Sequence, residues 1–241
     1  MTLEPSTAAI VVAGGSGERF GRAGGKQLAR VAGLPVLSWT LRAVDAAAEI
    51  DLIVLVCPHE RRSEYESAAL AEACIETPVI FAASGDTRQA SVRAGLEVLP
   101  PSVRAVVVHD GARPLATAEA IARVLHAIGN GAADGAVIGH PSYDTLKLVD
   151  GDRVLETPQR SRYWAVQTPQ AFDRTALLAA HEAAEASGLV GTDDASLVER
   201  NGGKVVVVEG PRDNIKVTVA EDLAYAEAVL LRRSTGEEPC G

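Results

Sequence analysis

Arg19, Arg22, Lys26 and Arg30 face a single acid, Glu18, in a segment that opens with Ala13-Gly14-Gly15-Ser16-Gly17. Glycines let a backbone turn sharply and let its N–H groups approach a ligand unobstructed. Successive N–H groups in such a turn form a concavity for anions, and the cations that follow suit a polyphosphate. The apolar run Ala8–Val12 before it makes this a phosphate-gripping loop on the end of a first strand. Two familiar versions of such a loop are excluded. A dinucleotide fingerprint needs G-x-G-x-x-G running straight into a helix; here Gly21 comes one residue late and glycines persist to Gly25. A Walker A loop needs G-x-x-x-x-G-K-[ST]; here Phe20 replaces the first glycine and Gln27 the hydroxyl. A plain glycine-rich linker is the competing reading, and the local positive charge argues against it.

Further polar residues gather behind other apolar runs. His109-Asp110-Gly111-Ala112-Arg113-Pro114 follows Ala105–Val108. Arg113 could clamp a phosphate in bidentate fashion. Asp110 could orient a ribose hydroxyl, or bind a divalent cation directly or through water. The plainer reading is a local Asp–Arg pair of little consequence, and His109 is assigned no role. In Gly85-Asp86-Thr87-Arg88-Gln89-Ala90-Ser91, Asp86 reads as the cap of a helix running to Leu99, and such a helix start favours an anion. Asp213-Asn214-Ile215-Lys216-Val217-Thr218 reads as a short strand that aims Lys216 somewhere definite, and Thr192 reads as the cap of a helix through Asp193, Asp194 and Ser196. No Ser-His-Asp or Cys-His set with a supporting motif is present, which argues against covalent catalysis.

The elements that must position these residues alternate. Strand-like apolar runs are Ile10–Val12, Leu52–Val56, Val79–Phe81, Ala105–Val108, Ala136–Ile138 and Val205–Val208. Helical periodicity covers Leu37–Ala48, Glu60–Ala73, Thr87–Leu99, Thr117–Ile128, Arg174–Ala186 and Ala220–Leu231. Unbroken rather than alternating hydrophobicity predicts strands buried on both faces of a mainly parallel sheet, with ligands beyond the strands' carboxyl ends. The fold class is therefore α/β, a mostly parallel sheet flanked by helices, in a single domain over 1–241 with a tail frayed over 234–241. From His140 to Gln170 the rhythm breaks: Leu146-Lys147-Leu148-Val149, a turn at Asp150-Gly151-Asp152 and Val154-Leu155 predict a protruding hairpin arm, about 140–170. An arm that packs on a second subunit is preferred over an ordinary surface hairpin.

Composition narrows the partners. Lys plus Arg number 23 and Asp plus Glu 32, a formal charge of −9, so no broad basic surface is expected for nucleic acid or anionic membrane. No run of 18 apolar residues occurs, and Met1–Thr7 has no basic region followed by an apolar stretch. Three cysteines, Cys57, Cys74 and Cys240, lack metal-site spacing and fit a reducing cytoplasm.

Taken in order, A-G-G-S-G-E-R, G-K-Q, G-D-T-R-Q-A-S-V, H-D-G-A-R-P, D-T-L-K, W-A-V-Q-T-P-Q, T-D-D-A-S and D-N-I-K-V-T resemble the 2-C-methyl-D-erythritol 4-phosphate cytidylyltransferase family, from about Ala8 to Leu231. The resemblance implies a Rossmann-like homodimer whose hairpin arm completes the neighbour's site. It implies that CTP is joined to methylerythritol phosphate with release of pyrophosphate, in the presence of magnesium. It implies that the loop positions Ala13, Gly14, Gly15 and Gly17 hold CTP, with Gly85, Asp86 and Ser91 around the cytosine and ribose. It assigns Arg19 and Lys26 to the pentacoordinate phosphate, and Arg160 and Lys216 to the methylerythritol phosphate. Asp110, Arg113, Thr145, Thr168 and Thr192 match other contacts to that substrate or to the ribose.

The chain departs from the family pattern in three places. It has Val12-Ala13-Gly14 where members commonly read P-A-A, Gly25 where they have Pro before Lys-Gln, and Gly111 where many have Ala. Two other functions stay open: a cytidylyltransferase for another polyol phosphate such as ribitol 5-phosphate, and a catalytically silent nucleotide-binding domain. The full set of cations Arg19, Lys26, Arg160 and Lys216 argues against the second.

Overall fold

The computed structural model describes residues 4–15, 20 and 25–235. Seven strands form the central sheet in the order β11-β7-β10-β6-β1-β4-β5. They are β1 (Thr7–Val12), β4 (Leu52–Cys57), β5 (Val79–Ala83), β6 (Ala105–Asp110), β7 (Gly135–Pro141), β10 (Trp164–Asp173) and β11 (Val205–Glu209). The pairs β6–β1, β1–β4, β4–β5 and β7–β11 are parallel. Alternate residues of β1 supply the two faces: Ala9 and Val11 join one apolar cluster with Leu37, Leu41 and Ile121, while Ala8 and Ile10 join another with Val92, Leu96 and Leu177. That two-sided burial is why the run is apolar without a break. On the first face lie α1 (Val36–Asp45) and α5 (Ala118–Ile128); on the second lie α4 (Arg88–Glu97), α6 (Arg174–Ser187) and α7 (Asp194–Arg200). A third cluster joins α8 (Asp222–Thr235) to Phe20, Leu115 and Val217. A two-residue pair, β2 (Arg30–Val31) and β3 (Leu34–Pro35), leads into α1.

Several expectations are corrected. The helix read over Glu60–Ala73 is a 3₁₀ turn, α2 (Arg62–Tyr65), a π turn over Glu66–Leu70 and α3 (Ala71–Ala73). Inside it the Ser67 hydroxyl donates to the Ser63 carbonyl at 2.9 Å, a side-chain competitor for the helix's own bonds. The segment Asp213–Thr218 forms no ladder strand. Helix α8 continues to Thr235, so the expected fraying does not begin at Ser234, and 236–241 fall outside the described residues.

The arm is present as β8 (Leu148–Asp150) and β9 (Arg153–Glu156), turning through Gly151 at φ +58°. Its return is a strand that the sequence reading did not assign. β10 runs antiparallel between β6 and β7, and Trp164 already pairs with Pro141, so the excursion out of the sheet is shorter than 140–170. Within β10 the register shifts between Val166 and Gln170, around a cis Thr168–Pro169 bond. Such an irregularity is where a sheet can hold a proline.

Candidate active site

At the carboxyl ends of β1, β5 and β6 lies a cavity of about 490 Å³. Its walls include Gly14 and Gly15 after β1, Lys26 and Gln27, Gly85 to Arg88 and Ser91 around the start of α4, Asp110 and Ala112 after β6, and Lys216. Segments distant in sequence thus converge on the place where an α/β sheet takes its ligands.

Close packing explains two of the glycines. A Cβ on Gly14 would stand 2.2 Å from Cβ of Ser84, and one on Gly85 would stand 2.6 Å from Cβ of Ala90. The Ser91 hydroxyl accepts the Gly85 N–H at 3.1 Å and donates to the Thr87 carbonyl at 2.9 Å, tying this loop to α4. The cap of α4 is Thr87, whose side chain accepts the Ala90 N–H at 3.0 Å, not the exposed Asp86. The cap of α7 is Asp193, in a reciprocal capping box with Ser196, not Thr192.

Asp110 is the electrostatic centre. Arg88 Nε donates to its Oδ1 at 3.3 Å, Lys216 Nζ lies 2.9 Å from Oδ2 and Arg113 Nε lies 3.5 Å from Oδ2. Burial alone would push this carboxyl up; Arg88, Lys216 and Arg113 outweigh it and hold the group far below the usual carboxylate range. Both oxygens are taken by cations, which disfavours Asp110 as a direct metal ligand. Among the described residues no group of three or more His, Cys, Asp or Glu is arranged to hold a metal ion.

Lys216 is aimed by backbone and side-chain bonds rather than by a ladder. The Val217 N–H donates to the Ala112 carbonyl at 2.8 Å, and Asn214 Nδ2 donates to the Thr168 carbonyl at 2.8 Å and to Gln167 Oε1 at 3.2 Å. Arg113 fastens the same loop through a 2.7 Å bond from Nη1 to the Asn214 carbonyl. It is buried and turned inward, not presented as a phosphate clamp.

The structure brings Gly14, Gly15, Lys26, Gly85, Asp86, Ser91, Asp110 and Lys216 together on one cavity. Ala13 is buried beneath it, its carbonyl accepting the Tyr65 hydroxyl at 3.0 Å. Thr168 is 4 % exposed and its hydroxyl is engaged by His109 and the Asp110 N–H, so it braces the site from within. Thr145, Arg160 and Thr192 are exposed and are not among the residues lining this cavity. Arg160 donates to the Tyr143 carbonyl within the arm. Arg19 and Gly17 lie outside the described residues.

Gln27 and Arg88 also line the cavity, and sequence assigns neither a role. Gln27 is 2 % exposed, with an Oε1 that meets no hydrogen-bond donor among the described residues. Arg88 occupies the first turn of α4, where the helix dipole opposes a cation. A cation so placed needs compensating carboxylates, and that was the available signal.

The family profile of 2-C-methyl-D-erythritol 4-phosphate cytidylyltransferase matches residues 7–232. A relative of that name from Streptomyces avermitilis is 41% identical over 94% of this chain and 92% of its own. Another of the same name, from Prochlorococcus marinus, is 44% identical over 93% of this chain and 98% of its own. The crystal structure of 4-diphosphocytidyl-2C-methyl-D-erythritol synthase from Anaerococcus prevotii superimposes with a TM-score of 0.83 at 33% identity, covering 94% of this chain and 96% of that one. The 2-C-methyl-D-erythritol 4-phosphate cytidylyltransferase from Thermus thermophilus superimposes with a TM-score of 0.71 at 32% identity, covering 94% and 98%. With its cavity at the sheet's carboxyl edge and its match over residues 7–232, this chain belongs to the 2-C-methyl-D-erythritol 4-phosphate cytidylyltransferase family.

Proposed function

We propose that the chain transfers CMP from CTP to 2-C-methyl-D-erythritol 4-phosphate, giving 4-diphosphocytidyl-2-C-methyl-D-erythritol and pyrophosphate for isoprenoid precursor synthesis. The observation that carries this is the one cavity whose lining brings together Gly14, Gly15, Lys26 and Lys216. The glycine loop and Lys26 take the triphosphate of CTP; Lys216 takes the phosphate of the acceptor, joined by Arg160 from a partner's arm. An oxygen of that phosphate attacks the α-phosphorus, a new P–O bond forms, the bond to the β-phosphate oxygen breaks and pyrophosphate leaves. Such a displacement asks the protein for alignment and charge neutralisation, which Lys26, Lys216 and Arg19 supply, rather than for an acid–base pair.

A divalent ion, magnesium by preference, would travel with the triphosphate as part of the substrate, since the described residues build no cage for it. The chain would work as a homodimer. Leu148, Val149, Val154 and Leu155 of the arm are 51% to 55% exposed, an apolar surface that a second copy would cover. No helix among the described residues is long and apolar enough to cross a membrane. Cys57 and Cys74 are free thiols, which suits a reducing cytoplasm.

Pyrophosphate release tests the reading, with CTP and magnesium held saturating and each acceptor varied. Turnover of 2-C-methyl-D-erythritol 4-phosphate should far exceed that of ribitol 5-phosphate, because a site built to bond particular hydroxyls is left with unpaired groups by the wrong polyol. Equal or better turnover of ribitol 5-phosphate would reassign the acceptor, and no release with any acceptor would leave a binding domain.

A further inference from the structure

A chain of hydrogen bonds and ion pairs runs from the core into the cavity. His181 Nε2 on α6 lies 3.0 Å from Asp194 Oδ1 on α7, and Arg88 Nη1 donates to Asp194 Oδ2 at 2.6 Å. Arg88 Nε then donates to Asp110 Oδ1 at 3.3 Å, and Asp110 Oδ2 holds Lys216 at 2.9 Å. Asp194 and His181 are 1% and 2% exposed and do not line the cavity. We propose that Asp194 and His181 are positioning residues that hold Lys216 in place by way of Arg88 and Asp110. The proposal rests on the reading of Lys216 as the cation for the acceptor phosphate.

Charge and burial carry it. A carboxylate taken into a core is costly unless it is paired, and α6 and α7 otherwise send Leu177, Ala180, Ala195 and Val198 into one apolar cluster. Apolar packing was therefore available where Asp194 stands. What the carboxylate adds is a second anchor for Arg88, which the α4 dipole disfavours and which Asp110 alone would have to hold. Three cations, Arg88, Arg113 and Lys216, contact Asp110, and Asp194 is the second negative charge that offsets them.

Without Asp194, those cations share one carboxylate. Arg88 turns wholly onto Asp110, and the cation with the easiest path to water leaves. That cation is Lys216, whose side chain is 38% exposed against 27% for Arg88 and 11% for Arg113. The glycine loop grips the triphosphate through backbone N–H groups, which loss of Asp194 leaves in place. Loss of Asp194 thus separates the two substrates, whereas a purely structural role would weaken both together.

Asp194→Asn in the full chain is the test. Trace acetylation of the native protein, read by mass spectrometry with Lys204 as internal reference, should show Lys216 labelled several-fold faster than in wild type. This readout needs no turnover, so it stands even where wild type releases no pyrophosphate and the functional reading fails. In turnover, kcat/KM for the acceptor should fall about 10- to 10²-fold, the scale for a misplaced group near the reacting atoms, with the CTP dissociation constant unchanged. Arg88→Met combined with Asp194→Asn should be no worse than the more damaged single variant, because both break one chain. Unchanged Lys216 labelling in folded Asp194→Asn would overturn the proposal, as would parallel loss of CTP and acceptor affinity with melting temperature. Should Asp194→Asn fail to fold, His181→Phe keeps an aromatic ring at this position and removes its N–H. Its Lys216 labelling should rise by a smaller factor, and no rise would equally overturn the proposal.

Discussion

The hydroxyl of Thr168 lies 2.9 Å from Nδ1 of His109 and accepts the backbone N–H of Asp110 at 3.0 Å. One side chain thus joins the irregular middle of β10 to the carboxyl end of β6, just where Asp110 leaves the sheet. His109 is fully buried, and burial pushes its ring down to about 3, against the opposing pull of Asp110.

That displacement has a signed consequence for stability. Below its ordinary value of 6.5 the unfolded ring takes up a proton that the folded ring refuses until about pH 3. The contribution is therefore complete above pH 6.5 and is lost as pH falls through that window. Urea unfolding between pH 7 and pH 4 should show wild type losing on the order of 1 kcal/mol per pH unit from this ring. His109→Asn, which can donate to or accept from Thr168, should have a flatter profile; an equally steep one would mean that other groups set the acid limb.

Removal of Lys26 should act on the chemical step. Lys26→Ala is expected to lower kcat by roughly 10²-fold, the scale of losing one preorganised donor to a developing charge. CTP affinity should change less, because the N–H groups of the glycine loop remain. An unchanged kcat with a raised CTP dissociation constant, measured by single-turnover kinetics and calorimetry, would reassign Lys26 to ground-state binding.

The strands read most directly from sequence are those in the middle of the sheet. β1, β4 and β6 are buried on both faces and read as unbroken apolar runs. β10 escaped because its middle serves the site: Gln167, Thr168 and Gln170 are buried yet polar, bonded to Asn214, His109 and Asp193. Period and hydrophobicity cannot reveal a strand whose inward side chains are hydrogen-bonding groups. The caps of α4 and α7 were each read one residue early, because Asp86-Thr87 and Thr192-Asp193 both offer two capping side chains in succession. Lys216 was read on a short strand that does not form, while the glycine loop and Asp110 were legible as strand-end motifs. Arg88's two carboxylates were not, because Asp194 lies more than a hundred residues away in sequence.

Gly14 and Ser84 should behave as one unit. The family pattern often has Ala at the position of Gly14, yet here a methyl would stand 2.2 Å from Ser84 Cβ and 2.6 Å from its Oγ. Gly14→Ala should destabilise the fold by about 1–3 kcal/mol, as overpacking does, and loosen CTP binding. Adding Ser84→Gly leaves Cα as the nearest Ser84 atom, at 3.6 Å, and should restore both properties. Thermal melts and CTP titration of the single and double variants decide it; a double variant as damaged as Gly14→Ala would break the pairing.

Arg160 should serve the cavity of a partner subunit. It is exposed at the base of the arm, bonded to the Tyr143 carbonyl, and it is not among the residues lining the cavity of its own chain. A lone two-stranded hairpin is marginal in water, and both strands of this one are exposed throughout, so the arm needs a surface to pack on. A twofold dimer would bring each arm to the other chain's cavity. Lys26→Ala homodimers and Arg160→Ala homodimers should each be inactive. Subunit exchange between them yields a heterodimer in which one cavity receives an intact Lys26 from its own chain and an intact Arg160 from the partner. Activity in an equal mixture should therefore climb toward roughly a quarter of wild type, since random pairing of twofold dimers makes half of them mixed and half of their sites whole. Native mass spectrometry would establish the exchange. Mixed dimers that form and stay inactive would return Arg160 to its own chain's cavity and end the shared-site reading.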